Sequence, residues 1–294
     1  MANIIKREFD YHKFKRMQGK GYILLLLFYS TVGLNYAQPK DDLRVMTFNI
    51  RYGTADDGDN NWMFRTNLVF ETIKSFNPDV LGLQEALQFQ IDELINQLPE
   101  YNYVGVGRDD GKSAGEFSCI LYRKERFEID STNTFWFSET PEVVASKSWG
   151  NNITRICTWA KINDKLSKKS FYVFNVHLDH ESQNSREKSS TLLMNQINEK
   201  LLPVILTGDF NCGDENPVIK TILSSGLTDT FRKLHTKRND EGTFNSFKGE
   251  TNGDKIDFIF TSKEFEVTRS TIIRKNYNGK FPSDHFPVTA IISF

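Results

Sequence analysis

The chain has 294 residues, 38% hydrophobic and 13% aromatic with 24 phenylalanines, and that much apolar surface excludes an intrinsically disordered protein. No 18-residue apolar run occurs beyond position 37, which excludes a chain that crosses a membrane repeatedly as helices. The formal net charge is −1, but residues 1–37 carry six basic and two acidic side chains, so residues 38–294 hold −5, the wrong sign for a protein devoted to gripping nucleic acid.

Residues 1–37 read as an export signal. A basic stretch runs to Lys20, an apolar stretch built on ILLLLF follows, and small and polar residues lead to Ala37, the expected cleavage point before Gln38. Met17 is an alternative start. An uncleaved anchor is the alternative fate, although the apolar run is short for a span. The expected location is therefore periplasmic or extracellular. The remaining residues, 38–294, suit one large domain.

That domain opens with alternating residues at 43–50 (LRVMTFNI), a buried strand. Apolar residues at helical spacing over 62–77 predict a helix ended by Asn77-Pro78. A strand at 79–84 and a helix over 86–98 follow, and then strand-like runs YNYVGV, FSCILYR, FEIDSTNTFWF and ITRICTWAKI. The second half repeats the rhythm: a strand at 171–178, a helix over 185–201, a strand at 203–208 and a short helix over 217–225. Strands near 256–261, 265–273 and 286–293 complete it. Two similar halves of this kind predict an α/β fold with two mixed sheets packed face to face and helices outside. Cys119, Cys157 and Cys212 have no paired spacing and read as packed thiols.

Polar residues crowd the ends of the apolar strands. Asn49 ends the first, Glu85 follows the second, and His177, Asp179 and His180 end FYVFNVHLDH; Asp209 and Asn211 end VILTGDFN, Asp257 opens IDFIF, and Asp284-His285 precede the last strand. One such residue is ordinarily a turn former or a cap. Six loaded strand ends point instead to a site, because strand ends on one edge of a sheet converge. Oxygen ligands from Glu85, Asn49 and an Asp suit Mg2+ or Mn2+. Zinc spacings, a glycine-rich phosphate loop and a GxSxG elbow are all missing from the sequence. Carboxylates, paired Asx side chains and His with Asp describe metal-assisted attack of water on phosphorus.

TFNIR, LGLQE, NVHLDH, TGDFN, IDFIF and SDHFPV, in this order over residues 43–294, resemble the endonuclease/exonuclease/phosphatase superfamily of metal-dependent phosphoesterases. The resemblance implies a four-layered αββα sandwich. It further implies Glu85, Asn49 and Asp284 at the metal, His285 on the scissile phosphate with Asp257 orienting it, and Asp209 as a catalytic aspartate. Asn211 would hold phosphate or water and His177 a phosphate oxygen, with Asp179 and His180 behind it. Arg51 stands where nuclease members carry an acidic residue, and is expected to add a phosphate-binding cation.

Arg155, on an otherwise apolar run, needs an anionic partner and is expected to contact substrate phosphate or Glu85. Trp62, Trp136, Trp149 and Trp159 read as packing residues, and TFWF at 134–137 as a core strand. The basic stretch around His235 reads as an exposed loop. The expectation is an exported monomeric phosphoesterase with no obligate protein partner, acting on a phosphorylated small-molecule, lipid or nucleic-acid substrate. An extracellular nuclease is the runner-up, and a non-catalytic binding protein is a weaker third.

Overall fold

The computed structural model describes residues 42–294, so the export signal expected at 1–37 lies outside the described residues. In chain order the elements are β1 (Leu43–Asn49), α1 (Trp62–Phe76), β2 (Val80–Gln84), α2 (Gln88–Gln97), β3 (Tyr101–Val104), β4 (Ile120–Arg123), β5 (Phe127–Trp136) and β6 (Ile156–Asp164). They continue with β7 (Ser170–His177), α3 (Gln183–Asn198), β8 (Val204–Asp209), α4 (Pro217–Ser224), β9 (Thr228–Asp229), α5 (Thr230–Leu234), β10 (Asp257–Thr261), β11 (Glu266–Ile272) and β12 (Val288–Ser293). One six-stranded sheet runs β11-β12-β1-β2-β4-β3 and the other β5-β6-β7-β8-β10-β9. Each has a parallel pair at its heart, β1 with β2 and β7 with β8, and antiparallel neighbours around it.

Local chemistry sets the ends of the helices. Asn77, in the left-handed region at φ 58°, stops α1 just before Pro78. Ser182 accepts from Ser185 N–H, so α3 starts two residues earlier than the periodicity predicts. Asn216 caps α4 ahead of Pro217. The short β9 and α5 were not legible in the sequence, because α5 has too few residues to show a period. Asp229 begins α5 by accepting from the Phe231 and Arg232 N–H groups.

Strand alternation divides the core into layers. Met46, Phe48, Leu81 and Leu83 face α1 and α2, while Phe174, Val176, Leu206, Phe258 and Phe260 face α3 and α4. The residues between them in sequence, including Val45, Val80, Val173, Ile205 and Ile259, meet between the sheets. This is the αββα sandwich. Further along the same inner faces the apolar residues give way to Thr47, Gly82, Gln84, Asn175 and Thr207: Gln84 Nε2 donates across the sheets to Asn175 Oδ1 at 2.7 Å, and Thr207 Oγ1 donates to the same oxygen within its own sheet at 3.0 Å. Asn175 Nδ2 in turn donates to the Leu83 and Cys119 carbonyls. A buried polar seam of this kind is tolerable only when its members are paired. One step further lie Asn49, His177, Asp209 and Asp257, so the inner faces end in the polar cluster.

Gly82 permits the seam to close. A Cβ there would stand 2.4 Å from Thr207 Oγ1 and 2.5 Å from Asn175 Oδ1. Gly82→Ala is expected to destabilise the fold by about 1–3 kcal/mol through overpacking, read as a lowered urea midpoint with unchanged slope. An unaltered midpoint would mean that the sheets have slack at this seam.

The three cysteines are buried and free, as expected. TFWF is core: Phe135, Trp136 and Phe137 are buried. The basic stretch is exposed, and three of its cations are paired: Arg232 with Asp214 and Glu241, Lys237 with Glu215 and Arg238 with Asp240. His235 packs on the Phe231 ring and reaches the Ser270 carbonyl at 2.9 Å, so it is anchored rather than merely solvated.

Candidate active site

Strand register assembles the cluster. His177 at the end of β7 is opposite Asp209 at the end of β8, and Asp209 is opposite Asp257 at the start of antiparallel β10. Asn49 at the end of β1 is opposite Gln84, one residue before Glu85. Asp284 and His285 lead into β12, which runs antiparallel to β1. All six strand ends therefore meet at one edge of the sandwich, around a pocket of about 500 Å3, a size suited to a small ligand.

Asp209 is the centre. Its Oδ2 lies 3.6 Å from His177 Nε2 and 3.8 Å from His285 Nε2. It accepts from Asn49 Nδ2 at 3.0 Å and, through Oδ1, from Asn211 N–H at 2.9 Å. Burial, and then the Asp257 charge, raise its pKa to about 7. His285 Nδ1–H donates to Asp257 Oδ2 at 2.9 Å. Burial alone would discharge this imidazole, but the Asp257 and Asp209 carboxylates overcome it and hold the pKa well above the usual value. His177 has the opposite fate: burial first, then Arg155 and Arg108, push it well below its ordinary range. The site therefore favours the charged form of His285 and the neutral form of His177.

Glu85 follows β2 at φ 60°, Arg51 follows β1 at φ 58° and Asn211 follows β8 at φ 50°. Left-handed backbone at non-glycine residues costs of order 1 kcal/mol or more each and concentrates at functional sites. Arg65, buried on α1, fixes the loops that carry these residues. Its guanidinium donates to the carbonyls of Asn60, Ile50, Arg51 and Pro282, tying the turn after β1 to the segment before Asp284.

One expectation about the metal changes in detail. Asn49 is turned so that its amide nitrogen donates to Glu85 Oε1 at 3.0 Å and to Asp209, while its oxygen accepts from Arg51 N–H. It bridges the two carboxylates instead of presenting a bare ligand. Among the described residues, Asp209, Asp257 and His285 also bring one ligand atom each within 4.8 Å. Within that trio Asp257 is already hydrogen-bonded to His285 at 2.9 Å, and the trio is a second candidate ion site. Glu85 and Asp284 fit a hard cation: both line the pocket, and burial, with Glu85 nearby, raises the proton affinity of Asp284.

The cations also differ from expectation. Arg51 lines the pocket, but two of its three guanidinium nitrogens are already engaged. Its fork holds Asp57 through two 3.0 Å bonds, within 3.9 Å of Glu85 and 3.8 Å of Asp284. Arg155 does line the pocket, but it pairs with Asp179 at 3.6 Å and with His180 Nδ1 at 2.8 Å, not with Glu85. The reason is topological: Arg155 precedes β6 in one sheet and Glu85 follows β2 in the other. Asp179 stands behind Arg155, where it accepts the Glu181 and Ser182 N–H groups. His180 is half exposed at the rim. Asn211 Nδ2 donates to the Leu178 carbonyl at 2.9 Å, which leaves its oxygen toward the pocket.

Sequence reasoning missed Glu116 and Arg108. They form a 2.7 Å ion pair in the pocket wall, and Glu116 lies 3.9 Å from His177 Nδ1. Both sit in an irregular segment, 105–117, where no period marks an inward face. Trp136 supports them, donating from Nε1 to the Arg108 carbonyl. The wall is completed by Phe244, exposed at the rim with its ring edge toward His285.

Comparison with known proteins supports the same frame. Residues 46–285 match the Endonuclease/Exonuclease/phosphatase family. The chain is similar to the solved structure of a mannosyl-6-phosphatase from Bacteroides thetaiotaomicron, with 35% identity, TM-score 0.81, and 86% of this chain and 100% of that chain covered. A family member of known structure from Bacteroides vulgatus has 36% identity and TM-score 0.81, with 86% and 99% covered. An uncharacterised protein of Acanthamoeba polyphaga mimivirus is 28% identical over 85% of this chain and 99% of its own length.

Proposed function

The chain belongs to the endonuclease/exonuclease/phosphatase family, whose members hydrolyse phosphoric esters, and from that premise we propose that it is an exported monomeric phosphatase that needs Mg2+ or Mn2+ and releases phosphate from a phosphorylated sugar. The observation that carries the reading is Asp209 set between His177 and His285 in the lining of a pocket of about 500 Å3. Similarity over the whole length of a mannosyl-6-phosphatase supports a sugar monoester. The −5 charge of residues 38–294 gives no support to a nucleic-acid groove.

Glu85 and Asp284 would hold the cation, which supplies charge neutralisation to the phosphate. The chain's own groups do the rest. Cationic His285, kept in one tautomer by Asp257, donates from Nε2 to a phosphate oxygen. Arg108 and Arg155 line the pocket and add positive charge that suits a phosphate there. Asp209, with a pKa of about 7, is poised to take a proton from the attacking water, which Asn211 and neutral His177 orient. Phe244 offers an apolar rim to the sugar.

The test is a substrate panel with purified protein: mannose 6-phosphate and other sugar phosphates, a phosphodiester, RNA and plasmid DNA, each with Mg2+, Mn2+ or chelator. Phosphate release from sugar monoesters only with metal added is the expected result. Preferred hydrolysis of RNA or DNA would replace this reading with a nuclease. Equal turnover in chelator would remove the metal.

A further inference from the structure

Arg51 is the unusual cation of this site. It begins where β1 ends, and both faces of its peptide are pinned. Its N–H donates to Asn49 Oδ1 at 3.0 Å, and its carbonyl accepts from Arg65 at 3.0 Å and Gln90 at 3.1 Å. The guanidinium is held as firmly, forked onto Asp57 and lying over the Tyr52 ring. It cannot swing away without breaking two charge-assisted bonds. Held there, it stands within 4 Å of an oxygen of both Glu85 and Asp284, the carboxylates assigned above to the metal. Asp57 shares this guanidinium at 3.0 Å, while Nη1 lies 3.9 Å from Glu85 and Nε 3.8 Å from Asp284.

We propose that Arg51 is a fixed internal cation that couples metal binding to anion binding: it weakens the hold of Glu85 and Asp284 on a divalent cation in the empty pocket, and a phosphate sharing the pocket relieves this. The physical basis is Coulombic. Two like charges a few ångströms apart in a partly desolvated pocket repel appreciably, and an anion between them converts repulsion into a shared attraction. The metal would then be retained most firmly when substrate or product phosphate is present. The inference rests on the assignment of Glu85 and Asp284 as the metal carboxylates.

The experiment is a Mn2+ titration of the metal-free protein by calorimetry, with and without inorganic phosphate. Wild-type protein should bind Mn2+ about tenfold or more tightly once phosphate is present. Arg51→Gln should bind Mn2+ more tightly than wild type without phosphate, and gain little on its addition. Arg51→Lys, which keeps the charge but not the fork, should retain the coupling; loss of coupling in this folded variant would show that charge is not the cause. Unchanged or weaker Mn2+ binding by folded Arg51→Gln overturns the inference while leaving the metal assignment intact. Failure of wild-type protein to bind Mn2+ under either condition overturns both.

Discussion

Asp209→Asn is expected to lower kcat by roughly 10^2–10^4-fold, the span typical for loss of a positioned acid or base, and at the same time to make the metal-free protein more stable above pH 7. The catalytic part follows from its place between His177 Nε2 and His285 Nε2, where an amide can neither accept a proton nor carry the charge. The stability part follows from its pKa of about 7, raised from 3.8 chiefly by burial. Because the folded chain holds this proton more tightly than the unfolded chain does, the contribution of the group is complete below about pH 4 and is lost as pH rises to 7. A shift of that size corresponds to at most about 4 kcal/mol. The new amide gives some of this back by facing the donor Asn49 Nδ2. Urea unfolding in chelator at pH 5 and pH 8 checks it: the variant should gain on wild type between the two. An identical difference at both values would show that Asp209 is already ionised without strain.

Asp257→Asn should cost kcat by a similar factor, about 10^2–10^4, with KM little changed, and should move the basic limb of the pH profile downward. Asp257 accepts from His285 Nδ1–H at 2.9 Å, and it is the largest of the influences that hold the imidazole charged against its burial. Activity that needs cationic His285 is lost as pH rises through its pKa. Removing the carboxylate lowers that pKa, so the loss must come at lower pH. The variant also gives Nδ1 a partner that can donate as well as accept, so the tautomer is no longer fixed. A pH profile coincident with the wild type, with kcat near normal, would reduce Asp257 to a structural residue.

Both predictions concern residues that the sequence itself marks. VILTGD and DFIF are short apolar strands, and the two-residue period of a strand puts Asp209 and Asp257 on the same face as Ile205 and Ile259, the face that meets between the sheets. His177, two residues past Asn175, follows the same parity. Burial of an inward strand face is a local, period-two property, and a single chain displays it without any partner. The layered fold and the convergence of loaded strand ends were legible for that reason.

What the sequence could not supply are pairings between groups that share no period. Glu116 and Arg108 lie in an irregular segment and reach His177 only because β4 takes its place beside β2. Arg51 is adjacent to a recognisable strand, yet its partner Asp57, which engages the fork, comes from the following loop. Arg155 finds Asp179 rather than Glu85, because the two sheets place them on different strands. The sequence by itself determined which residues turn inward and which strand ends carry chemistry, since these depend on alternation along one strand. Tertiary structure alone decided which charges neutralise one another, since that depends on distances across two sheets and their loops, and Coulomb energy follows distance in space rather than separation along the chain.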